Sequence, residues 1–99
     1  MSASLLLNAI KADATGPEIS IRVIGNRETP SRMSIQVGIT GTANVRIQAR
    51  VARDAPWLDI GPTYSTSALA YIEPAPFLRA VASEMAAGSS VSVWGVWAW

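Results

Sequence analysis

Between Met33 and Val51 apolar and polar residues alternate almost without exception, and this period of two restricts the segment to β structure. Met33, Ile35, Val37 and Ile39 are separated by Ser34, Gln36 and Gly38. Val45, Ile47, Ala49 and Val51 are separated by Arg46, Gln48 and Arg50. Successive strand residues point to opposite faces, so each segment has one face for a core and one for water. Thr40-Gly41-Thr42 lies between them and holds the glycine that a tight turn uses. A β-hairpin is therefore expected over residues 31–53.

The same logic extends along the chain. Ile19, Ile21 and Val23 alternate with Ser20 and Arg22 up to Gly25-Asn26. Leu58–Ile60 is expected as a short strand stopped by Gly61-Pro62, and Ala68–Ile72 as another stopped at Pro74. Leu5–Ala12 is expected to be a strand, although its run of three leucines also suits a helix. Phe77–Ala87 carries helix punctuation, with Pro74 and Pro76 before it and Gly88 after it. Its two rows, Phe77, Arg79, Val81, Ser83 and Leu78, Ala80, Ala82, fit a strand as well, and the regular turns elsewhere favour the strand. The expected fold is all-β: a single antiparallel β-sandwich over residues 1–99, Ig-like or jelly-roll-like, with about 7–8 strands.

Composition removes most chemistries. The chain has no Cys and no His, which excludes thiolate and Ser-His or Cys-His nucleophiles and the usual zinc sites. Its acids, Asp13, Glu18, Glu28, Asp54, Asp59, Glu73 and Glu84, fall in no spacing that sets a catalytic pair on one face. Asp54 and Asp59 lack the dense Asp/Asn pattern of a calcium loop, and solvated or turn-capping roles are expected for the acids. Gly38 and Gly41 do not make a phosphate loop. No enzyme activity, cofactor or metal is expected. A net charge of +1 offers no field for nucleic acid, and no stretch approaches the roughly 20 apolar residues of a membrane helix. The first residues lack the basic region of a signal peptide, so synthesis and use in the cytoplasm of the producing cell are expected.

What remains is surface. Apolar residues make up 49% of the chain and charged ones 15%, against about 25% charged in ordinary soluble domains. Part of the surface is therefore expected to be covered by protein. Seven arginines against one lysine, Lys11, point weakly the same way, because guanidinium tolerates interfaces; a GC-rich genome explains the bias equally well. Val91–Trp99 is apolar on both faces, with Val91, Val93, Gly95, Trp97 and Trp99 in one row and Ser92, Trp94, Val96 and Ala98 in the other. A sandwich hides one face, so Trp94, Val96, Trp97 and Trp99 are expected to meet another subunit or partner. The alternative is a central strand covered by the N-terminal segment. Trp57 is expected to plug one end of the core. Arg46, Arg50 and Arg53 share a polar side. Without interleaved aromatics a nucleic-acid groove is disfavoured, and a solvated or salt-bridged face is expected, with Arg46 and Arg50 as candidate contact residues.

The order Gly41-Thr42-Ala43-Asn44-Val45-Arg46-Ile47, then Asp54-Ala55-Pro56-Trp57, then Pro76-Phe77-Leu78-Arg79, and a closing Val91–Val96 strand resembles small β-sandwich structural proteins of tailed bacteriophages. In those, a G-x-x-x-V-x-V strand leads to an Asp-Gly-x-x-Trp-like turn and a later Pro-x-x-Arg strand; here the turn lacks the glycine. The resemblance covers residues 41–97. It implies a virion part assembled in the host cytoplasm, such as a capsid decoration or cement protein or a head, neck or tail accessory. Its partners would be its own copies, in a trimer or other ring, and the major capsid or another virion protein. Discoidin-like sugar-binding domains share a similar turn and are longer, which leaves a small carbohydrate-binding module with exposed tryptophans as the second reading.

Overall fold

The alternating segments do form strands, but their pairing is set by crossings between two sheets. The structure, a computed structural model, describes residues 2–20, 32–72 and 75–98, with the side chains of all of these except 2–4, 32, 97 and 98. Nine strands run through the described residues: β1 (Ser2–Ile10), β2 (Ala14–Thr15), β3 (Ile19–Ser20), β4 (Arg32–Thr40), β5 (Asn44–Arg50), β6 (Leu58–Tyr64), β7 (Ala68–Tyr71), β8 (Phe77–Ser83) and β9 (Ser90–Ala98). No helix occurs among them, and Phe77–Ser83 is a strand. Sheet A has the order β1-β9-β4-β7. Sheet B has the order β2-β8-β5-β6, with β3 also on β8. Every pairing is antiparallel. The rest of the expected strand at Ile21 and Val23 lies outside the described residues.

The sheets form a sandwich whose core is drawn from the inward row of each. Sheet A supplies Leu6, Leu7, Met33, Ile35, Val37, Val91 and Val93. Sheet B supplies Val45, Ile47, Ala49, Tyr64, Leu78, Ala80 and Ala82. The leucine run of β1 fits this pattern through bulges. The register slips between Leu5 and Leu7 and again before Ile10, so Leu6 and Leu7 are both buried while Leu5 stays outside. At the second slip Ala9 takes a φ of 48°, and its N–H donates to Ser92 Oγ at 2.9 Å.

Residues 31–53 are not a hairpin. β4 belongs to sheet A and β5 to sheet B, so Gly41-Thr42-Ala43 carries the chain across the core. Alternation identifies a strand's faces but not its neighbours, and a glycine-bearing link serves an arch as well as a hairpin. The arch packs against the link from β8 to β9. Thr42 N–H donates to Ser89 Oγ at 2.8 Å, Ala86 N–H donates to the Thr42 carbonyl at 3.1 Å, and Ser89 is buried. Met85 N–H donates to Asp13 at 3.0 Å and Asn44 donates to Glu84, closing the same end. Nor does Gly61-Pro62 end its strand. β6 continues to Tyr64 through a register slip against β5, with Gly61 at a φ of 72°. β6 is an edge strand, where the missing proline N–H costs no ladder bond.

Gly41 has a φ of +85°, and a Cβ there would stand 2.5 Å from Ser89 Oγ. Gly41→Ala is therefore expected to lower the unfolding free energy by about 1–3 kcal/mol. Urea melts of the two proteins check this, with a shifted midpoint and an unchanged slope as the expected result.

Candidate interaction surfaces

Each sheet has an outer face, and the two differ in chemistry. The strands of sheet A contain one charged residue, Arg32, at the end of β4. Residues directly opposite in an antiparallel ladder share a face. Leu5 lies opposite Trp94, Trp94 opposite Gln36, and Gln36 opposite Leu69, which makes one row across all four strands. In the next row Val96 lies opposite Ser34, and Ser34 opposite Tyr71. Leu5 and Trp94 are each 41% exposed, Leu69 76% and Tyr71 81%. The Trp94 ring reaches across β4 at Gly38, where a Cβ would stand 3.4 Å from its Cζ3. The result is an open, uncharged and largely apolar band in which Leu5, Trp94, Leu69 and Tyr71 lie around the neutral polar Gln36 and Ser34 of β4.

Trp94 and Val96 thus sit on the outer face of sheet A. β9 is a central strand with β1 beside it, but β1 covers an edge of β9 and leaves its outer face open. The Trp97 backbone pairs with Ser2 and Met33; its side chain and all of Trp99 lie outside the described residues. Leu5, Leu69 and Tyr71 complete the band and were not expected there. Ala68–Ile72, like Val91–Trp99, is apolar on both faces, and that signal marks Leu69 and Tyr71.

Arg46 and Arg50 lie on the opposite side of the molecule, on the outer face of sheet B, because the intervening Val45, Ile47 and Ala49 are buried. Both are paired. Arg50 donates to Glu18 Oε1 through Nη2 at 2.5 Å and through Nε at 3.1 Å. Arg46 meets Asp59 at 3.4 Å, a half-exposed pair that contributes little. Gln48 donates to Asp59 at 3.0 Å and accepts from Arg79 Nε at 2.7 Å, so its amide has only one orientation that satisfies both neighbours. That hydrogen bond, with the nearby Arg46 charge, holds the Asp59 carboxyl below the usual aspartate range, against a smaller opposing effect of burial.

Trp57 is not a core plug. It lies half-buried on this outer face, with the Arg50 and Arg79 guanidiniums each 4.4 Å from its ring centroid. Phe77 receives Arg53 at 5.4 Å and Arg50 at 6.0 Å. A tryptophan after a turn suggested core filling; an arginine-lined strand face offered it a cation–π site instead. Near this end an open apolar cavity of about 280 Å³ is lined by residues that include Ala49, Val51, Pro56, Leu58 and Ala75. No group of three metal-ligating side chains occurs among the described residues.

Comparisons with protein-family models, with curated proteins and with solved structures find no match for this chain.

Two outcomes follow for sheet B. Arg50→Ala is expected to cost more stability than Glu18→Ala, since it removes the ion pair, the contacts with Trp57 and Phe77 and the bond to the Ala55 carbonyl. The difference should be about 1 kcal/mol in denaturant melts. Asp59 has a depressed folded pKa, so its contribution to stability is present at neutral pH and is lost as pH falls through that pKa. The stability gap between wild type and Asp59→Asn should therefore narrow in acid, as melts across a pH series would show.

Proposed function

We propose that the chain is a non-catalytic structural part of a multi-copy assembly, joined to its neighbours through the outer face of sheet A. The observation that carries this is the charge-free band of Leu5, Trp94, Leu69 and Tyr71, open across four strands. Burying it against a second uncharged face desolvates no ion. The strongest candidate for that face is the same band on another copy, because the chain's other broad face carries arginines and carboxylates.

Size supports an assembly of many weak contacts. With four strands about 4.8 Å apart and two rows each spanning two residues at a rise of about 3.3 Å, the band offers on the order of 250 Å² of flat area. A standard interface buries about 800 Å² per partner. Pairing one face with itself closes as a two-fold, so a trimer or ring would need a further, different contact. Copies arrayed on a repeating lattice gain from multivalency. A virion surface, which the resemblance to tailed-phage decoration and head–tail accessory proteins implies, is such a lattice. The acids favour a structural role too: Asp13, Glu18, Asp59 and Glu84 each hold a partner within the fold. Trp57 is engaged by two guanidiniums, which weakens it as the platform of a sugar-binding module and leaves Trp94 and Tyr71 as the open aromatics.

Removing residues 94–99 would not test this, because it deletes half of a central strand. Point changes on the outer face do. In light scattering the mass of the wild type should rise with concentration above that of one chain. Trp94→Ser combined with Leu69→Ser should remain monomeric with an unchanged β-type circular dichroism spectrum. A wild type that is monomeric at every concentration, or a double variant that associates equally well, would contradict the proposal.

A further inference from the structure

The outer face of sheet B holds a five-membered alternation of cation and ring: Arg53, Phe77, Arg50, Trp57, Arg79. Strand register builds it. Arg50 on β5 lies opposite Phe77 on β8, Arg79 lies two residues along β8, and the turn after β5 returns Arg53 and Trp57 over the same face. The interleaved aromatics absent from the linear pattern of Arg46, Arg50 and Arg53 are thus supplied by a turn and by another strand.

The members differ in how much of their hydrogen-bonding capacity is used. Arg50 is occupied: its Nε and Nη2 serve Glu18, and its Nη1 reaches the Ala55 carbonyl at 3.5 Å. Arg79 bonds only the neutral Gln48, through Nε, and its two Nη groups carry no bond among the described residues. Arg53 is exposed and makes no ion pair among the described residues; Asp54, next to it in the turn, is bonded to neither arginine. The ladder therefore presents two guanidiniums already held against rings, with N–H edges available. Such edges match carboxylates bidentately, and holding them in place lowers the entropy lost on binding. The ring surfaces are taken up by guanidinium, which leaves little for a nucleic-acid base to stack on.

We propose that the outer face of sheet B docks an acidic, carboxylate-bearing segment of a partner protein, gripped by Arg79 and Arg53 and positioned by Trp57 and Phe77. This goes beyond the assembly role and does not depend on it, since the apolar band lies on the opposite face. The partner strand or loop needs Asp or Glu side chains spaced to meet the two arginines, and the contact weakens as salt rises.

The test uses the full chain and a fluorescein-labelled twelve-residue Glu-rich peptide, followed by anisotropy at low and at physiological salt. Arg79→Gln and Arg53→Gln should each weaken binding by about fivefold or more, and Arg79→Lys by less, since charge survives without the planar fork. Arg46→Gln removes the same charge away from the ladder and should change affinity by less than about twofold. The Trp94→Ser, Leu69→Ser double variant should bind the peptide as the wild type does, so loss of assembly and loss of this contact are read separately. If Arg79→Gln impairs folding, Arg53→Gln, in an exposed turn, carries the test. No binding at low salt, or an equal loss with Arg46→Gln, would overturn the proposal. So would tighter binding of a labelled oligo-dT, which would assign the face to nucleic acid.

Discussion

The whole architecture depends on β9 being inserted between β1 and β4. Ser2 pairs with Trp97 and Arg32 with Ala98, so β9 brings together segments far apart in sequence within one sheet. Most connections of the long strands cross the core, and β5–β6 is the pairing of consecutive strands in one sheet that the link between them makes local. A fold assembled this way gains little from neighbours in sequence. It closes only when distant strands find their register, which is slow and leaves sheet edges unpaired until late. Once in place, β9 serves both surfaces of sheet A: Val91 and Val93 fill the core, while Trp94 and Val96 face outward.

That double use separates charge between the two sides of the sandwich. The strands of sheet A carry one charge, Arg32 at the end of β4, and the outer face sets Leu5, Trp94, Leu69 and Tyr71 around the neutral polar Ser34 and Gln36. The charged side chains are concentrated on sheet B and in the links. There the charges are largely internal to the face: Arg50 with Glu18, Arg46 with Asp59, and Gln48 joining Asp59 to Arg79. One side of the domain is thus organised by desolvation and the other by paired charge. The two proposed contacts follow that division, with an uncharged neighbour on one side and an acidic one on the other.

Much of this was legible from period two. The inward rows Met33–Ile39 and Val45–Ala49 fall where alternation puts them, and Phe77–Ser83 is a strand despite its helix-like flanks. Val51 escapes the pattern because β5 ends at Arg50 and the chain turns away, leaving Val51 77% exposed. Partners were not legible. A three-residue glycine link looks alike whether it joins neighbours or crosses a core, and only the buried Ser89 contact distinguishes the two. For the surfaces, the two-faced apolarity of β9 is reflected in Trp94 and Val96 facing outward while Val91 and Val93 face the core. Arg46 and Arg50 were grouped with them, but alternation on separate strands carries no information about which side of a sandwich each strand faces. Trp57 departs from the core-filling expectation because the cations that hold it come from β5 and β8, well apart in the chain.

Hydroxyl-radical footprinting across a range of protein concentrations tests most directly whether the outer face of sheet A is where copies meet. Oxidation of Trp94, Tyr71 and Leu69 should fall as concentration rises, while oxidation of Phe77 on sheet B stays constant as an internal reference. Equal oxidation of the sheet A residues at every concentration, or protection of Phe77 in their place, would contradict the account.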